Sequence, residues 1–314
     1  MLSPLALEAL RDAASARASR ALFSWFASNR LAGHGLDRSL GGHSGTIADL
    51  AAAVIEIVTV SPDAAEALVA HRLSIELLAG ARNVGLRDYL LPQLLAGERA
   101  GAWPGRSMRA LAEGRPEPVT GIDTGRGFRL TGILTDTSNL CAEAMILAVP
   151  VTFGDAGQVE LILVSSDQDG MRPQASDGAW TGAMQLEQLY FREDELLGGD
   201  ATALARRVDP LARALDCALA QGMLEASVAL LSPGDVRSDL YASAVLGRRS
   251  LLSALTVAST WQSPVLLERW QRQFLDRAAA ALSLAAEHPR AGLLFAITTR
   301  RRAALPQPTT SPAA

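Results

Sequence analysis

The stretch RDYLLPQLLAGERAGAWPG, residues 87–105, separates two kinds of sequence pattern. In its first half apolar residues recur at helical spacing, and the pattern stops at Gly97, a residue type that readily takes the left-handed conformation found after many helices. Beyond it the chain changes to short apolar runs separated by turn residues. The change predicts a domain boundary near residue 98.

The sequence before this boundary has the pattern of amphipathic helices. Apolar residues recur at steps of three and four from Pro4 to Leu31, and again from Thr46 to Leu78. Ser61 can cap a helix whose first position is Pro62. Proline suits this position because its φ is already helical, and because the N–H that it lacks would have no partner inside the helix. We therefore expect residues 1–98 to form an N-terminal helical domain.

Residues 99–198 have the pattern of a middle antiparallel β domain, barrel-like or sandwich-like. Strand-forming runs alternate with turns, and GDAGQ at residues 154–158 is typical of a hairpin loop. The runs are GFRLTGIL (127–134), AMILAVPVTF (144–153), QVELILVSS (158–166) and GAMQLEQLYF (182–191).

The helical pattern returns after residue 198. It predicts helices at about 203–231, 236–258 and 264–287 in a C-terminal bundle covering residues 199–299. The remaining residues, 300–314, are polar and proline-containing and are expected to be a disordered tail. The predicted fold class is therefore α+β, with helical domains on both sides of a β domain.

The composition excludes several classes of function. All 29 basic residues are arginine, so mechanisms that need a lysine amine are excluded. A net charge of -4 and a pI near 5.7 give no basic surface for nucleic acid or anionic lipid. We find no apolar run long enough to span a membrane and, with Glu8 and Asp12 near the start, no signal-peptide pattern, so a cytoplasmic protein is expected.

Metal and nucleophile motifs are also missing from the sequence. The four histidines lack HExxH or i,i+4 spacing, so we predict no metal site and expect them to be surface or core residues. Cys141 and Cys217 each lie in an apolar run and are interpreted as buried thiols. GGHSG and GRSMR lack the spacing of a nucleophile elbow, and GRGFRLTG lacks the third glycine of a dinucleotide loop.

Four stretches, in this order, resemble the acyl-CoA dehydrogenase family over about residues 30–225. They are GLDRSLGG (35–42), GLRDYLLPQLLAGERAGA (85–102), GFRLTGILTDTSN (127–139) and DGMRPQASDGAWTGAMQLEQLYFREDELLG (169–198). The order of domains is that of the family. The resemblance implies an FAD cofactor between the β domain and the bundle, and an acyl thioester substrate.

The resemblance also implies cofactor-binding residues. Ser138 matches a family hydroxyl that faces the reactive nitrogen of the flavin, although TDTSN can also be read as a polar turn. Thr137, Trp103 and Ser107 are further candidates for FAD binding. Asp136 stands where the family has a large aromatic residue against the ring, and a carboxylate there would disfavour an anionic reduced flavin.

The stretch AWPGRSMRAL, residues 102–111, corresponds to a family loop that holds the flavin and the thioester. Pro104, Gly105 and Ser107 preserve part of it, but its threonine–glutamate pair is missing, so we expect little more than a plain connection. Arg106 and Arg109 could bind nucleotide phosphates, or they could simply be exposed arginines.

No catalytic base can be named from the sequence. Arg213 matches a family arginine in the first bundle helix, but its neighbour is Ala212 where some members carry the catalytic glutamate. The family's second location for this base, late in the bundle, is missing from a chain that we expect to be truncated and disordered after residue 299. Glu225 is interpreted as part of a solvated helix face.

Two functions follow as alternatives. One is an acyl-CoA dehydrogenase-like flavoprotein, an FAD-dependent oxidoreductase acting on the CH–CH bond of an acyl thioester or a similar small substrate. The other is a non-catalytic member, either a partner subunit or a binding protein. A homo- or hetero-oligomer is expected in both cases.

Overall fold

The structure is a computed structural model that describes residues 2–15, 19–115, 119–140, 142–154, 158–174, 180–257 and 263–305. Helices come first, then a sheet with one helix inserted, then helices again. The helices are α1 Pro4–Ser15, α2 Ser19–Ser28, α3 Ile47–Val60, α4 Pro62–Ala79, α5 Val84–Leu95, α6 Gly105–Ala112, α7 Ala201–Ala229, α8 Asp235–Leu255, α9 Pro264–Leu284 and α10 Ala291–Ala303. The strands are β1 Ala100–Pro104, β2 Thr120–Asp123, β3 Phe128–Ser138, β4 Met145–Phe153, β5 Gln158–Ser165, β6 Met171–Gln174 and β7 Thr181–Phe191.

The N-terminal helices begin where the sequence supplies caps. Thr46 and Asp49 form a reciprocal capping box at the start of α3. The Ser61 side chain accepts from the Ala64 N–H, and Pro62 occupies the first turn of α4. These contacts confirm the predicted helix break between α3 and α4.

The end of α5 shows why Gly97 is required at the boundary. Its φ is +69°, and a Cβ at this position would lie 2.4 Å from the Phe23 carbonyl oxygen. Any other residue would therefore clash with the backbone of α2, besides adopting a left-handed conformation. The helical pattern stops here, and β1 begins at Ala100.

Within the described residues, seven strands form one sheet that is mostly antiparallel. β1 and β2 lie end to end and together occupy one strand position in the sheet, between β4 and β3. Both pair parallel with β4 and antiparallel with β3. The sheet continues through β7 to β6 beyond β3, and through β5 beyond β4. The predicted β domain is confirmed, with β1–β4 and β2–β4 as parallel exceptions.

α6 connects β1 to β2 in the sequence. The expected plain connection at residues 102–111 is therefore wrong: Ala102–Pro104 belong to a strand, and Gly105–Ala112 are helical. Met108 and Leu111 are buried on the inner face of α6, which packs against α7. The sequence pattern was missed because eight residues give only two turns, too few for a clear helical period.

The C-terminal helices pack around α7, whose start is capped by Asp200. Ala214, Leu215, Ala218 and Leu219 of α7 are fully buried in a core shared by α3, α4 and α9. The expected disordered tail at 300–314 is partly wrong, because α10 continues to Ala303 and Leu305 is buried. Residues 306–314 lie outside the described residues, as do Cys141 and the middle of the GDAGQ turn.

Among the described residues no helix is long and apolar enough to cross a membrane. The described part of the chain likewise has no cluster of His, Cys, Asp or Glu side chains that could hold a metal ion. Cys217 is buried, and its thiol donates to the Leu267 carbonyl oxygen at 2.9 Å. Burial raises the pKa of this thiol, so it is an inert core residue, as interpreted from the sequence.

Candidate functional site

A cavity of about 450 Å³ lies where the sheet, α4, α6, α7 and α10 meet. Each of these elements contributes side chains to its wall, so the cavity joins all three parts of the chain. Its volume falls within the range of ordinary small-molecule sites. The lining includes Glu66, Leu73, Trp103, Arg106, Met108, Arg109, Asp136, Ser138, Thr181, Ala212, Asp216, Arg300 and Arg301.

One wall of the cavity is a row of three side chains across the sheet. Ser138 of β3 pairs with Trp103 of β1 on one side and with Thr181 of β7 on the other. All three residues line the cavity. An indole and two hydroxyl groups thus stand side by side on the same face of the sheet.

Two of the four candidate residues for FAD binding line the cavity, and the other two do not. Trp103 and Ser138 share the cavity wall. Thr137 is fully buried away from the cavity, and its hydroxyl donates to the Leu134 carbonyl oxygen at 3.5 Å. Successive strand residues face opposite sides of a sheet, so Thr137 and Ser138 cannot both face one ligand. Ser107 is buried in α6 and does not line the cavity.

A chain of ion pairs centred on the buried Glu66 forms the helical part of the wall. Glu66 of α4 is only 3% exposed and accepts from Arg300 at 2.5 Å and from Arg301 at 2.7 Å. Arg301 also binds Asp216 of α7 at 3.0 Å, and Asp216 binds Arg109 of α6 at 3.1 Å. This arginine–carboxylate chain, Arg300–Glu66–Arg301–Asp216–Arg109, ties α10 to three other helices.

The charges in this chain stabilise one another. Burial alone would raise the pKa of Glu66, but Arg301 and Arg300 reverse that effect and hold it below its ordinary value. Burial alone would lower the pKa of Arg301, but Glu66 and Asp216 raise it. Both groups are therefore ionised at neutral pH, and neither is suited to exchange protons.

The two arginines of α6 have different surroundings. Arg109 is occupied by Asp216, so it is not available to a phosphate group. Arg106 lines the cavity mouth, is exposed, and forms neither an ion pair nor a hydrogen bond with any described residue. Of the two candidate phosphate ligands, Arg106 is thus the available one.

Asp136 adds a carboxylate that differs from the others. It lines the cavity, and within the described part of the chain its side chain makes no hydrogen bond or ion pair. Burial raises the pKa of Asp136, partly offset by Arg301 and Arg300. The sequence singled out this position but gave no sign that its carboxylate would be unpaired.

The bundle side of the cavity carries no family base at the matched position. Ala212 lines the cavity with only a methyl group. Its neighbour Arg213 is buried and engaged by Asp209, at 2.6 Å, and by Glu268. Glu66 and Asp216 were not expected at the cavity, because only packing brings them there.

Glu225 lies at a different cavity, between α7 and α8. It is half-buried, accepts from the Gln221 side chain at 2.9 Å and binds Arg248 at 3.1 Å. Arg248 also binds Glu56 at 2.9 Å, so Glu225 belongs to an ion-paired contact between α3, α7 and α8. The interpretation of Glu225 as a solvated helix face is therefore wrong.

The chain is similar to known proteins in its fold and not detectably in its sequence. No protein-family model matches the sequence, and a search of curated proteins gives no match. Solved structures do match over nearly the whole chain. A chain from the structure of an electron transferring flavoprotein of Acidaminococcus fermentans aligns with a TM-score of 0.76 and 13% identity, covering 96% of this chain and 94% of that one.

Two dehydrogenase structures give similar values. Butyryl-CoA dehydrogenase from Megasphaera elsdenii aligns with a TM-score of 0.70 and 15% identity, covering 96% of this chain and 98% of that one. A glutaryl-coenzyme A dehydrogenase in complex with glutaryl-CoA aligns with a TM-score of 0.71 and 13% identity, covering 97% and 91%. The order of domains and these alignments agree with each other: the chain has the acyl-CoA dehydrogenase fold.

Proposed function

We propose that the protein is a flavin-binding oxidoreductase of acyl-CoA dehydrogenase type, with FAD held at the cavity. The observation that carries the proposal is the row Trp103–Ser138–Thr181 on the cavity wall. An indole gives a flat apolar surface for a ring, and two hydroxyls can donate to or accept from ring heteroatoms. Arg106, free of ion pairs among the described residues, supplies a guanidinium for phosphate at the cavity mouth.

The chain's own residues would hold and tune the cofactor. FAD, when bound, would supply the hydride acceptor. Ser138 would donate a hydrogen bond to the ring, and Trp103 would cover part of it and exclude water. The arginine–carboxylate chain would fix the position of α10 against α4 and α7.

The substrate class is a short or polar acyl thioester or a similar small molecule. Charged side chains from four helices, α4, α6, α7 and α10, line the cavity. A long apolar chain lying against them would remove water from these charges without giving them new partners, which is costly. A short acyl group would leave the charged wall hydrated.

A second function, a non-catalytic partner subunit, is favoured by one observation. Ala212 brings no carboxylate to the cavity, and Arg213 beside it is held by Asp209 and Glu268. Proton removal next to a thioester carbonyl needs a positioned base. In this alternative another chain would supply that base.

The experiment that tests the flavin proposal is the visible absorption spectrum of the purified chain, with FAD identified after release by heat. A yellow protein that releases one FAD per chain supports the flavin function. A colourless protein that stays colourless after incubation with excess FAD contradicts it. Co-expression with the genomic neighbours, followed by the same measurement, tests the partner-subunit alternative.

A further inference from the structure

Asp136 occupies an unusual position in the sheet. It lies in β3 at φ +58°, in the left-handed region, where an aspartate is tolerated but less stable than in extended backbone. The β3–β7 register shifts between Leu134 and Thr137, so a bulge surrounds Asp136. Bulges beside a site commonly redirect one side chain out of the regular alternation.

Asp136 lines the same cavity as Ser138, so the bulge leaves its side chain on the cavity face of the strand. Regular strand alternation places residues 136 and 138 on one face and Thr137 on the other, and the cavity lining follows this division. The Asp136 Oδ2 atom lies 3.6 Å from the place where a Cβ at Gly105 would be. The carboxylate therefore lies between the end of β3 and the first residue of α6.

The other charged groups around Asp136 are engaged elsewhere, apart from Arg106. Arg301, Arg300 and Arg109 are in the arginine–carboxylate chain with Glu66 and Asp216. Charged groups face this end of the cavity from α4, α6, α7 and α10: Glu66; Arg106 and Arg109; Asp216; Arg300 and Arg301. Asp136 makes no hydrogen bond or ion pair with any of them.

An unpaired, largely buried carboxylate destabilises a fold, because its water is removed without replacement. A left-handed conformation at the same residue adds to this cost. Arg301 and Arg300 offset the first cost only in part, because neither forms an ion pair or a hydrogen bond with Asp136 among the described residues. The combination is typical of a group kept for a ligand.

We propose that Asp136 is a ligand-binding residue whose ionised carboxylate accepts a hydrogen bond from an N–H group of the ring bound in the cavity. The ligand class is a planar heterocycle with a ring N–H, and flavin is the member of this class used in the experiments below. The inference rests on the proposed flavin function and deepens it. It makes flavin binding depend on the ionisation of one side chain.

The first test compares FAD binding at pH 5 and pH 8 for the full-length chain and for Asp136→Asn. Because burial raises the pKa of Asp136, wild-type affinity should be lower at pH 5 than at pH 8, by at most about tenfold, the effect of one hydrogen bond to a charged group. The affinity of Asp136→Asn should change much less over this range, and Asp169→Asn, at an exposed turn position, should follow the wild type. Equal pH profiles for the wild type and Asp136→Asn would overturn the inference and leave the flavin function standing.

The second test uses the protein without ligand. Because the folded protein disfavours ionised Asp136, Asp136→Asn should raise the Tm at pH 7 by about 2 °C. The difference should disappear towards pH 4, near the ordinary pKa of aspartate, where the wild-type carboxyl is protonated too. A lower Tm for Asp136→Asn at pH 7 would show that the carboxylate has a structural partner and would overturn the inference.

The flavin function and the role of Asp136 can be contradicted separately. If the chain binds neither FAD nor riboflavin at any pH, both the flavin function and the role of Asp136 in binding a ring are contradicted. If it binds FAD, the comparison of Asp136→Asn with Asp169→Asn decides the role of Asp136 alone.

Discussion

Ser138 and Trp103 lie directly opposite each other in the β1–β3 pair, at the edge of the cavity that joins the sheet to the helices. Because the two strands are paired here, the backbone positions from which the indole and the hydroxyl extend are fixed relative to each other. A site built in this way is preorganised before any ligand binds.

Ser138→Ala tests whether that hydroxyl contacts the flavin. Loss of one hydrogen bond to the reduced ring, worth about 1 kcal/mol, should lower the two-electron reduction potential by about 20 mV. The potential is measured by dye-coupled reduction of the FAD-loaded protein. Ser283→Ala, on the exposed face of α9, serves as the control. An unaltered potential in fully loaded Ser138→Ala would remove Ser138 from the site.

Arg301→Ala tests the arginine–carboxylate chain. It leaves the buried Glu66 and the half-buried Asp216 each with one arginine fewer, so the free energy of unfolding should fall by about 3 kcal/mol, mostly through Glu66. The neighbouring Arg302 pairs with Asp276 at the surface, and Arg302→Ala should cost less than about 1 kcal/mol. Urea unfolding of the two variants measures the difference. Equal losses would mean that the chain does not hold α10 in place.

His71 gives the fold a defined pH dependence. Its ring accepts from the Gly101 N–H at 3.0 Å through Nδ1 and bonds the Leu94 carbonyl oxygen at 3.0 Å through Nε2, so it joins the end of α5 to the start of β1. These two bonds require the neutral ring with its proton on Nε2. Burial accordingly lowers the pKa of His71 to about 4.

The lowered pKa of His71 makes the fold less stable as the solution becomes more acidic. The folded state disfavours the protonated ring, so the contribution is complete above pH 6.5 and is lost as the pH falls from 6.5 towards 4, by about 3 kcal/mol in total. His71→Leu should be less stable than the wild type at pH 7, and the difference should shrink as the pH approaches 4. Denaturant unfolding at several pH values measures it. A difference that does not vary with pH would exclude a neutral His71 as its cause.

The helix break at Ser61–Pro62, the stop at Gly97 and most strands were predictable from sequence, because they depend on local caps, turns and periodicity. The pairing of Ser138 with Trp103 was not predicted, because it depends on the register of two strands that are distant in sequence. Glu66 and Asp216 at the cavity were not predictable, because they are 150 positions apart and only the packing of α10 brings them together. The helical course of residues 300–303 was missed for a related reason: the arginines favour a helix locally, but the ion pairs of Arg301 with Glu66 and Asp216 that hold this end of α10 in place depend on tertiary packing.

The isolated chain should show little or no acyl-CoA dehydrogenase activity, because Ala212 supplies no base, both Glu66 and Asp216 are held by arginines, and Asp136 is proposed to bind the ring and not the substrate. The check is to mix the FAD-loaded chain anaerobically with butyryl-CoA and to follow the flavin absorbance. The same mixture with a chain co-expressed beside its genomic neighbours shows whether a partner restores the reaction. Rapid bleaching by the single chain would mean that a carboxylate of the cavity acts as the base.

The most direct test of the flavin site is equilibrium titration of the purified chain with FAD, followed by the flavin fluorescence, for the wild type and for Trp103→Ala. Trp180, which lies outside the cavity lining, provides the matched control Trp180→Ala. We expect saturable binding of one FAD per chain that is weakened about tenfold or more by Trp103→Ala and little by Trp180→Ala. No saturable binding to the wild type, or equal binding by all three proteins, would contradict the assignment of this cavity as the flavin site.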